Sequence, residues 1–492
     1  MRPTDQQEHV LDLVGEGGDV AVEAGAGCGK TTTLRLIAEA KRRSRGRYTA
    51  FNKSLVLDAE GKFPSNVRVT TVHAMAMGQV GIPFRPRLDD HTAKSDRVGE
   101  MLGLESQAIT YDGRTQVLTR GYLASLARRA VEVFCQSDDV MPEPHHVPYI
   151  DGIDPPENDG HRTWANNLGV RRYLAPFLEK VWEDAQDPKG KLPYRHAFYL
   201  KVFQLSGRRL PIDFLLVDEA QDLPEVMRAI FRRQDHCQRI FVGDSNQAIY
   251  GWLGAVNAMD DVPARSRAYL SNSFRFGPGL AAANNVVLDA LRAPIRLTGV
   301  GSPTSRLGRA PEPTAILTRN NATAFDQMIV FLELGLRPFL IGGGEDLVKF
   351  AEGALEIKQT GRTAYPRLAI FQTWAQVQEY AEKDPMGVTE LALLVKLVDA
   401  YTPERVIEVL GHMTAEAEAD VAIGTTHSAK GREWESVVLT DDFPEAGGTE
   451  ELRVLYVAGT RAMEILDVNG CDAFRTLLAD RRTEGPQLRL VP

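Results

Sequence analysis

An α/β fold with two parallel sheets, each interrupted by a mainly helical insertion, follows from three features of the sequence. Short apolar runs of strand length alternate with helix-length amphipathic segments, the rhythm of a parallel sheet whose crossovers are helices. That rhythm occurs twice, once on each side of Ser273, and within each occurrence it stops for a stretch of helical pattern. At 492 residues the chain exceeds one ordinary hydrophobic core, so several domains are expected.

The first set opens with "GDVAVEAG", residues 18–25, a buried strand running into a Gly-rich turn, and continues as a helix over Thr31–Arg43. The runs "RYTAF", "VRVTTV", "DFLLVD", "RIFVGD" and "RAYL" supply its remaining strands. Between Met77 and Ser206 the pattern turns helical and includes the Pro-rich loop "MPEPHHVPYIDGIDPPEND". The second set has strands at "TAILTR", "RPFLIGG", "VAIGTT", "SVVLTDD" and "EILDVNG", with a helix through "AFDQMIVFLELG". Its interruption holds the helical segments "TELALLVKLVDAY" and "PERVIEVLGH". No internal repeat stands out.

Composition narrows the function classes. With 43% hydrophobic and 25% charged residues the chain has a globular profile. No apolar run approaches the roughly eighteen residues of a membrane span, and the acidic start "MRPTDQQEHVLDLVGEGG" is not a signal peptide. Cys28, Cys135, Cys237 and Cys471 are scattered without a C-x-x-C pair. That spacing argues against a cysteine zinc site, an iron–sulfur cluster or a disulfide framework, and for a reducing cytoplasm. A net charge of −9 speaks against coating nucleic acid by bulk electrostatics and leaves room for a narrow basic groove. The densest basic run, "KRRSRGR" from Lys41 to Arg47, either touches phosphates or ends a helix, where cations complement the dipole.

Two motifs carry chemistry together. Ala24, Gly25, Ala26, Gly27, Cys28, Gly29, Lys30, Thr31 and Thr32 spell "AGAGCGKTT" between a strand and a helix, the context of a phosphate-binding P-loop, with Ala24 in place of the usual first glycine. Backbone N–H groups there can wrap phosphates, Lys30 can reach the β/γ oxygens of ATP, and Thr31 can ligate Mg²⁺. Such a loop needs an acid on a neighbouring strand. Asp218, ending "FLLVD", suits the Mg²⁺ carboxylate, and Glu219 suits the group that orients the attacking water. Alone, the Asp-Glu pair reads equally well as a helix cap; Gln221 and Asp222 then open the next helix.

Further along, Gln247 in "FVGDSNQAIYGWLGA" follows a strand end and can sense a γ-phosphate. Tyr250 is either core or surface, whereas Trp252, flanked by Gly251, suits stacking on a base. Arg275 in "SNSFRFG" and Arg461 in "ELRVLYVAGTRAM" could bring guanidinium charge from the second sheet to a nucleotide on the first.

The ordered series "TDQQ", "AGAGCGKT", "AFNKS", "TVH", "VDEAQD", "GDSNQAIYGW", "SFRFG", "TTHSAKGREWESVV" and "LRVLYVAGTRA" resembles the superfamily 1A, UvrD-type DNA helicases, nearest a compact branch that includes F-box DNA helicases and phage or bacterial relatives. The resemblance implies two RecA-like P-loop NTPase domains: 1A over 1–76 and 207–272, with insertion 1B over 77–206, and 2A over 273–360 and 416–492, with a reduced insertion 2B over 361–415. It also implies roles for single residues. Gln7, with Gln6 as an alternative, would read adenine, Phe274 would stack on it, and Glu433 would hold the ribose. Asn52, Lys53, Thr71, His73, Tyr250, Trp252, Thr425 and His427 would line the DNA path. Lys30, Asp218, Glu219, Gln247, Arg275 and Arg461 would run hydrolysis, and Thr31 and Asp218 would hold the metal. Leu253 and Arg432 depart from the family's usual Arg and Leu.

The activity implied is a monomeric, ATP- and Mg²⁺-dependent translocase on single-stranded DNA and single/double-strand junctions, moving 3′→5′ in a bacterial or phage-infected cytoplasm with no membrane partner. Two rivals remain at this point: a DNA-dependent ATPase that strips proteins from strands, and a non-catalytic DNA-binding scaffold.

Overall fold

The computed structural model describes residues 2–50, 53–88, 93–155, 164–249, 259, 262, 264–383, 390–411, 413–445 and 447–484. Its contacts divide the chain into two units, one of residues Met1–Met75, Arg208–Gly343 and Thr414–Pro492, the other of Ala76–Gly207 and Gly344–Met413.

The first unit holds both large sheets. One is built from β1 (Val20–Ala24), β2 (Gly46–Ala50), β3 (Val67–Thr71), β4 (Phe214–Val217), β5 (Gln238–Gly243) and β6 (Ser266–Leu270). Their order across the sheet is β3-β2-β4-β5-β1-β6, and every pairing is parallel. The other is built from β7 (Arg306–Leu307), β8 (Ala315–Thr318), β9 (Pro338–Leu340), β10 (Val421–Thr425), β11 (Trp434–Leu439) and β12 (Ala462–Asp467), in the order β7-β12-β11-β8-β10-β9, again all parallel.

Burial explains why these runs become strands. All residues of β1, β2, β4, β8 and β10 are buried, as expected when helices cover both faces of a parallel sheet. β1 sits between β5 and β6, with Val20 opposite both Ile240 and Ser266. The loop after its carboxyl end therefore opens at an interior position of the sheet, where open α/β sheets place ligands. The basic run resolves into separate tasks. Lys41 closes the helix Lys30–Ala40, Arg45 pairs with Asp213 at 3.5 Å, and Arg47 is buried within β2.

The second unit is mainly helical: Ser95–Leu102, Arg120–Phe134, Ala165–Gln186, His196–Ser206, Glu345–Thr360, Trp374–Glu382, Glu390–Tyr401 and Pro403–Gly411. It also contains an antiparallel hairpin, Gln107–Tyr111 with Arg114–Leu118, that the sequence reading passed over. The signal was present in "YDGR". Asp112 and Gly113 take φ of 53° and 72°, the paired positive values of a type I′ turn, for which Asp-Gly is a preferred dipeptide. Among the described residues no helix is long and apolar enough to cross a membrane.

Candidate active site

The loop after β1 turns through two left-handed glycines, Gly27 at φ 71° and Gly29 at φ 76°. A Cβ on Gly27 would lie 2.6 Å from Arg275 Cβ and 2.8 Å from Ser273 Oγ, so a side chain there cannot be accommodated. Gly29 caps the helix Lys30–Ala40 without any side-chain hydrogen bond. The first-turn N–H groups of that eleven-residue helix thus lack intrahelical acceptors and point positive partial charge at the loop. Three loop amides are engaged elsewhere: Gly25 N–H donates to the Leu270 carbonyl, Ala26 N–H to the Tyr456 hydroxyl and Cys28 N–H to the Gly25 carbonyl. Ser273 Oγ, beside Gly27, is buried with no hydrogen-bond partner. An uncapped helix start and an orphaned hydroxyl fit an anionic group such as a phosphate chain.

Strand β4 delivers the acids. Thr31 Oγ1 donates to Asp218 Oδ2 at 3.1 Å, and Tyr48 donates to the same oxygen at 2.8 Å. Lys30 Nζ meets Glu219 Oε2 at 2.8 Å. Glu219 itself sits at φ 50°, a strained conformation for a non-glycine residue, which swings its carboxylate back toward the loop. Gln221 ties the acids to the next strand: its Nε2 donates to Glu219 Oε2 at 2.6 Å, and its Oε1 accepts the Asp244 N–H at 3.1 Å. Gln221 and Asp222 lie in the 3₁₀ turn Ala220–Asp222, and the following helix begins only at Glu225.

The electrostatics separate two adjacent carboxyls. Burial and the neighbouring Glu219 charge raise Asp218 above the usual range. Burial pushes Glu219 up as well, but the Lys30 ammonium overrides it and holds that carboxyl down at about 2. Glu219 is therefore an ionised acceptor at neutral pH.

The second sheet supplies the opposite wall. Arg461, 1% exposed, follows the helix Thr449–Gly459 and directs Nη2 to Gln247 Oε1 at 3.3 Å. Its Nε donates to the Val457 carbonyl at 2.9 Å and its Nη1 to the Arg432 carbonyl at 3.1 Å. Burial and Arg275 press the guanidinium down to about 9, which leaves it a cation at neutral pH. Arg275 donates to Glu433 Oε2 at 2.7 Å and to the Thr460 carbonyl at 2.9 Å. Glu433, the expected ribose holder, is thus paired to an arginine. The Arg432 side chain departs toward Glu416, so its main chain rather than its side chain serves the site.

At the outer end Gln7 Nε2 donates to Thr33 Oγ1 at 3.1 Å, while its Oε1 accepts the Thr4 N–H as part of a capping box. Gln6 is committed to Ser271, accepting its N–H at 2.9 Å and donating to its hydroxyl at 2.8 Å. Of the two, Gln7 faces the loop: a Cβ on Gly29 would lie 3.5 Å from Gln7 Nε2 and 3.8 Å from the Phe274 ring. Phe274 is 53% exposed, an unusual amount for a phenylalanine beside a helix start.

The sequence reading missed three residues here. Tyr456, fully buried, accepts the Ala26 N–H at 3.3 Å and donates to Asp244 Oδ2 at 3.2 Å, bridging the two sheets through one hydroxyl. Asp244 also accepts from Gln247 Nε2 at 2.7 Å, which fixes the glutamine's orientation. Lys430 pairs with Asp222 at 2.7 Å. Their letters stood inside the quoted motifs, but nothing in one sequence says which side chains cross between sheets.

The strand-end residues show a correspondence. Thr71 ends β3 and accepts the Ala74 N–H at 3.0 Å; Thr425 ends β10 and accepts the Ser428 N–H at 3.3 Å. Each threonine caps a short helix, Val72–Ala76 or Thr426–Ala429, that places a histidine, His73 or His427, two residues on. Burial and then Arg319 lower His427, so its ring is neutral at physiological pH. Asn52, Tyr250, Trp252 and Leu253 lie outside the described residues, and Lys53 is described only as the start of the helix Lys53–Ala59.

Two known family profiles match the chain. A family profile described as an AAA domain matches residues 6–252, half of the chain, and one described as a UvrD-like helicase C-terminal domain matches residues 420–466. The chain belongs to the UvrD-like helicase family. The first family match spans β1 to β5 with the phosphate loop and the Asp218–Glu219 pair, and the second runs from β10 into β12 with Lys430 and Arg461. Among relatives, F-box DNA helicase 1 of Gallus gallus is 28% identical over 94% of this chain and 48% of its own length. F-box DNA helicase protein 1 of Schizosaccharomyces pombe is 26% identical over 95% of this chain and 57% of its own. The chain spans about half the length of the curated relatives it matches.

Proposed function

We propose that this chain is an ATP- and Mg²⁺-dependent DNA helicase that translocates 3′→5′ on single-stranded DNA and engages single/double-strand junctions. The observation that carries the reading is the reach of Arg461, from the second sheet, to Gln247, beside the Lys30–Glu219 and Thr31–Asp218 pairs of the first. A nucleotide held there is enclosed by groups from both sheets, so its hydrolysis changes how the sheets are held.

In this reading Lys30 leaves Glu219 for the phosphate oxygens, and the freed Glu219 carboxylate orients the attacking water. Mg²⁺, held through Thr31 and Asp218, supplies charge neutralisation on the phosphates. Arg461 and Arg275 place two guanidinium groups on the charge that develops at the γ-phosphate, and Gln247 registers its loss. Gln7 and Phe274 hold the base, and Glu433 turns from Arg275 to the ribose. Asn52, Lys53, Thr71, His73, Tyr250, Trp252, Thr425 and His427 follow the strand, with residues 1–76 and 207–272 acting as one motor lobe and 273–360 and 416–492 as the other. Hydrolysis alternates the grip of the two lobes on DNA. The test is strand displacement on duplexes with a 3′ or a 5′ tail. Unwinding of the 3′-tailed duplex alone is expected. Preference for the 5′ tail overturns the polarity, and stripping of bound protein without unwinding replaces helicase by protein-displacing ATPase.

A further inference from the structure

Away from the nucleotide site, in the mainly helical unit, the Pro-rich loop gathers Asp139, His145 and His146. One potential ligand atom from each lies within 4.8 Å of the others. Asp139 Oδ2 is 3.3 Å from His145 Nε2 and 2.9 Å from His146 Nε2. Ligands bonded to one tetrahedral cation at 2.0–2.1 Å stand about 3.3 Å apart, so these atoms already have the spacing of a coordination edge.

The surroundings hold the three groups still. Ser137 Oγ accepts the Asp139 N–H at 3.2 Å and donates to the Phe134 carbonyl at 2.9 Å, which anchors the acid to the end of the helix Arg120–Phe134. Pro144 opens the 3₁₀ turn Pro144–His146, and Arg171 holds the next carbonyl, that of Val147, at 3.1 Å. His146 is 2% exposed in its side chain and packs edge-on against Phe134, whereas His145 is 59% exposed, so a bound ion would keep a side open to water.

The outer nitrogens have partners suited to ligation. Glu143 Oε2 is 3.5 Å from His145 Nδ1, the carboxylate–histidine arrangement that orients metal-bound imidazoles. His146 Nδ1 lies 2.9 Å from the Glu143 N–H and 3.2 Å from the Glu143 carbonyl. Without a metal, Nδ1 accepts that N–H and Nε2–H donates to Asp139. With a metal, Nε2 takes the ion, Nδ1–H donates to the Glu143 carbonyl, and the Glu143 N–H gives up its bond to the ring. The ring exchanges one tautomer for the other and stays neutral overall.

We propose that Asp139, His145 and His146 form a binding site for one zinc-class divalent transition cation, a clip that fixes the Pro-rich loop to the helix before it. Two imidazoles and one carboxylate suit Zn²⁺ or Co²⁺ and are a poor set for Mg²⁺, which prefers oxygen. No cysteine takes part, which is why the cysteine pattern gave no hint of it.

The test uses the full chain stripped with EDTA. Co²⁺ is titrated while its visible absorption is followed, and Zn²⁺ is titrated against a chromophoric chelator. His145→Ala, at an exposed position, and the isosteric Asp139→Asn are run alongside. The expected result is one more cation bound tightly by wild type than by either variant, with affinity falling at least about tenfold in each. Added Zn²⁺ should raise the melting temperature of wild type only. Counting by difference removes any ion taken at Thr31 and Asp218. Equal binding by all three proteins, or no binding by wild type, leaves the cluster an Asp–His hydrogen-bond network and overturns the proposal.

Discussion

Lys430, carried by the second sheet, lies 2.7 Å from the Asp222 carboxylate of the first, and both side chains are only 8% exposed. Lys430 also donates to the main-chain carbonyl of Gln247. Burial raises Asp222 to about 6 and lowers Lys430, so both groups carry the desolvation cost of this contact. Removing one partner strands the other charge. Lys430→Met is expected to destabilise the protein by about 3 kcal/mol, and the double variant Asp222→Leu with Lys430→Met to recover most of it. Denaturant unfolding of the three variants checks this. Additive losses in the double variant would mean the two residues do not act as a pair.

Glu219→Gln keeps the shape of the site and removes the ionised acceptor that Lys30 holds at about 2. Nucleotide binding should persist while turnover falls by orders of magnitude, across the whole pH range above that value, because the wild-type carboxylate is ionised throughout it. Arg461→Ala should cost about 10³–10⁵ in turnover with a smaller loss of affinity, by analogy with other arginines that reach a transferring phosphoryl group. Nucleotide affinity and single-turnover rates measured together separate the two effects.

Phe274 is half exposed, so Phe274→Ala should leave the melting temperature nearly unchanged. Base stacking on an aromatic is worth about 1–3 kcal/mol, so affinity for ATP should fall while affinity for inorganic triphosphate does not. A drop in both would place Phe274 in the support of the loop rather than against the base.

All four cysteines are buried and free. Burial pushes Cys28 up to about 12 and both Cys237 and Cys471 to about 11, and raises Cys135 as well. At pH 8 a thiol of pKa 12 is ionised to about one part in ten thousand. Thiol reagents should therefore leave the folded protein unmodified and titrate four groups after denaturation. Raising the pH should speed the reaction in proportion to thiolate until the fold opens. Fast modification of Cys28 in the native state would show that the phosphate loop opens to solvent.

How much of this was readable beforehand depends on whether a local pattern in the sequence calls for it. Phe214–Val217 announces itself because a strand buried on both faces is a near-continuous apolar run, and Val20–Ala24 does so apart from Glu23, whose buried carboxylate accepts from the Ser245 N–H and hydroxyl. The Lys30–Glu219 and Thr31–Asp218 contacts join distant residues, but each half sits in a local pattern, a Gly-rich loop ending in Lys30-Thr31 and an apolar strand running into Asp218-Glu219. The chemistry of a phosphate loop calls for the pairing. The hairpin at Asp112–Gly113 was missed because its strands are half exposed and their alternation is weak, leaving the turn dipeptide as the main signal. Tyr456 and Lys430 were missed for another reason. Neither belongs to a local pattern that calls for a particular partner, and only the fold brings Tyr456 to Ala26 and Asp244 and Lys430 to Asp222 and Gln247.

The central claim is that one nucleotide site, closed by groups from both sheets, drives movement along DNA. Steady-state ATP hydrolysis by the purified chain, with and without single-stranded DNA, tests it most directly. The account predicts Mg²⁺-dependent hydrolysis that DNA stimulates severalfold or more and that Glu219→Gln abolishes in both conditions. Hydrolysis indifferent to DNA, or no hydrolysis above the Glu219→Gln background, would contradict it.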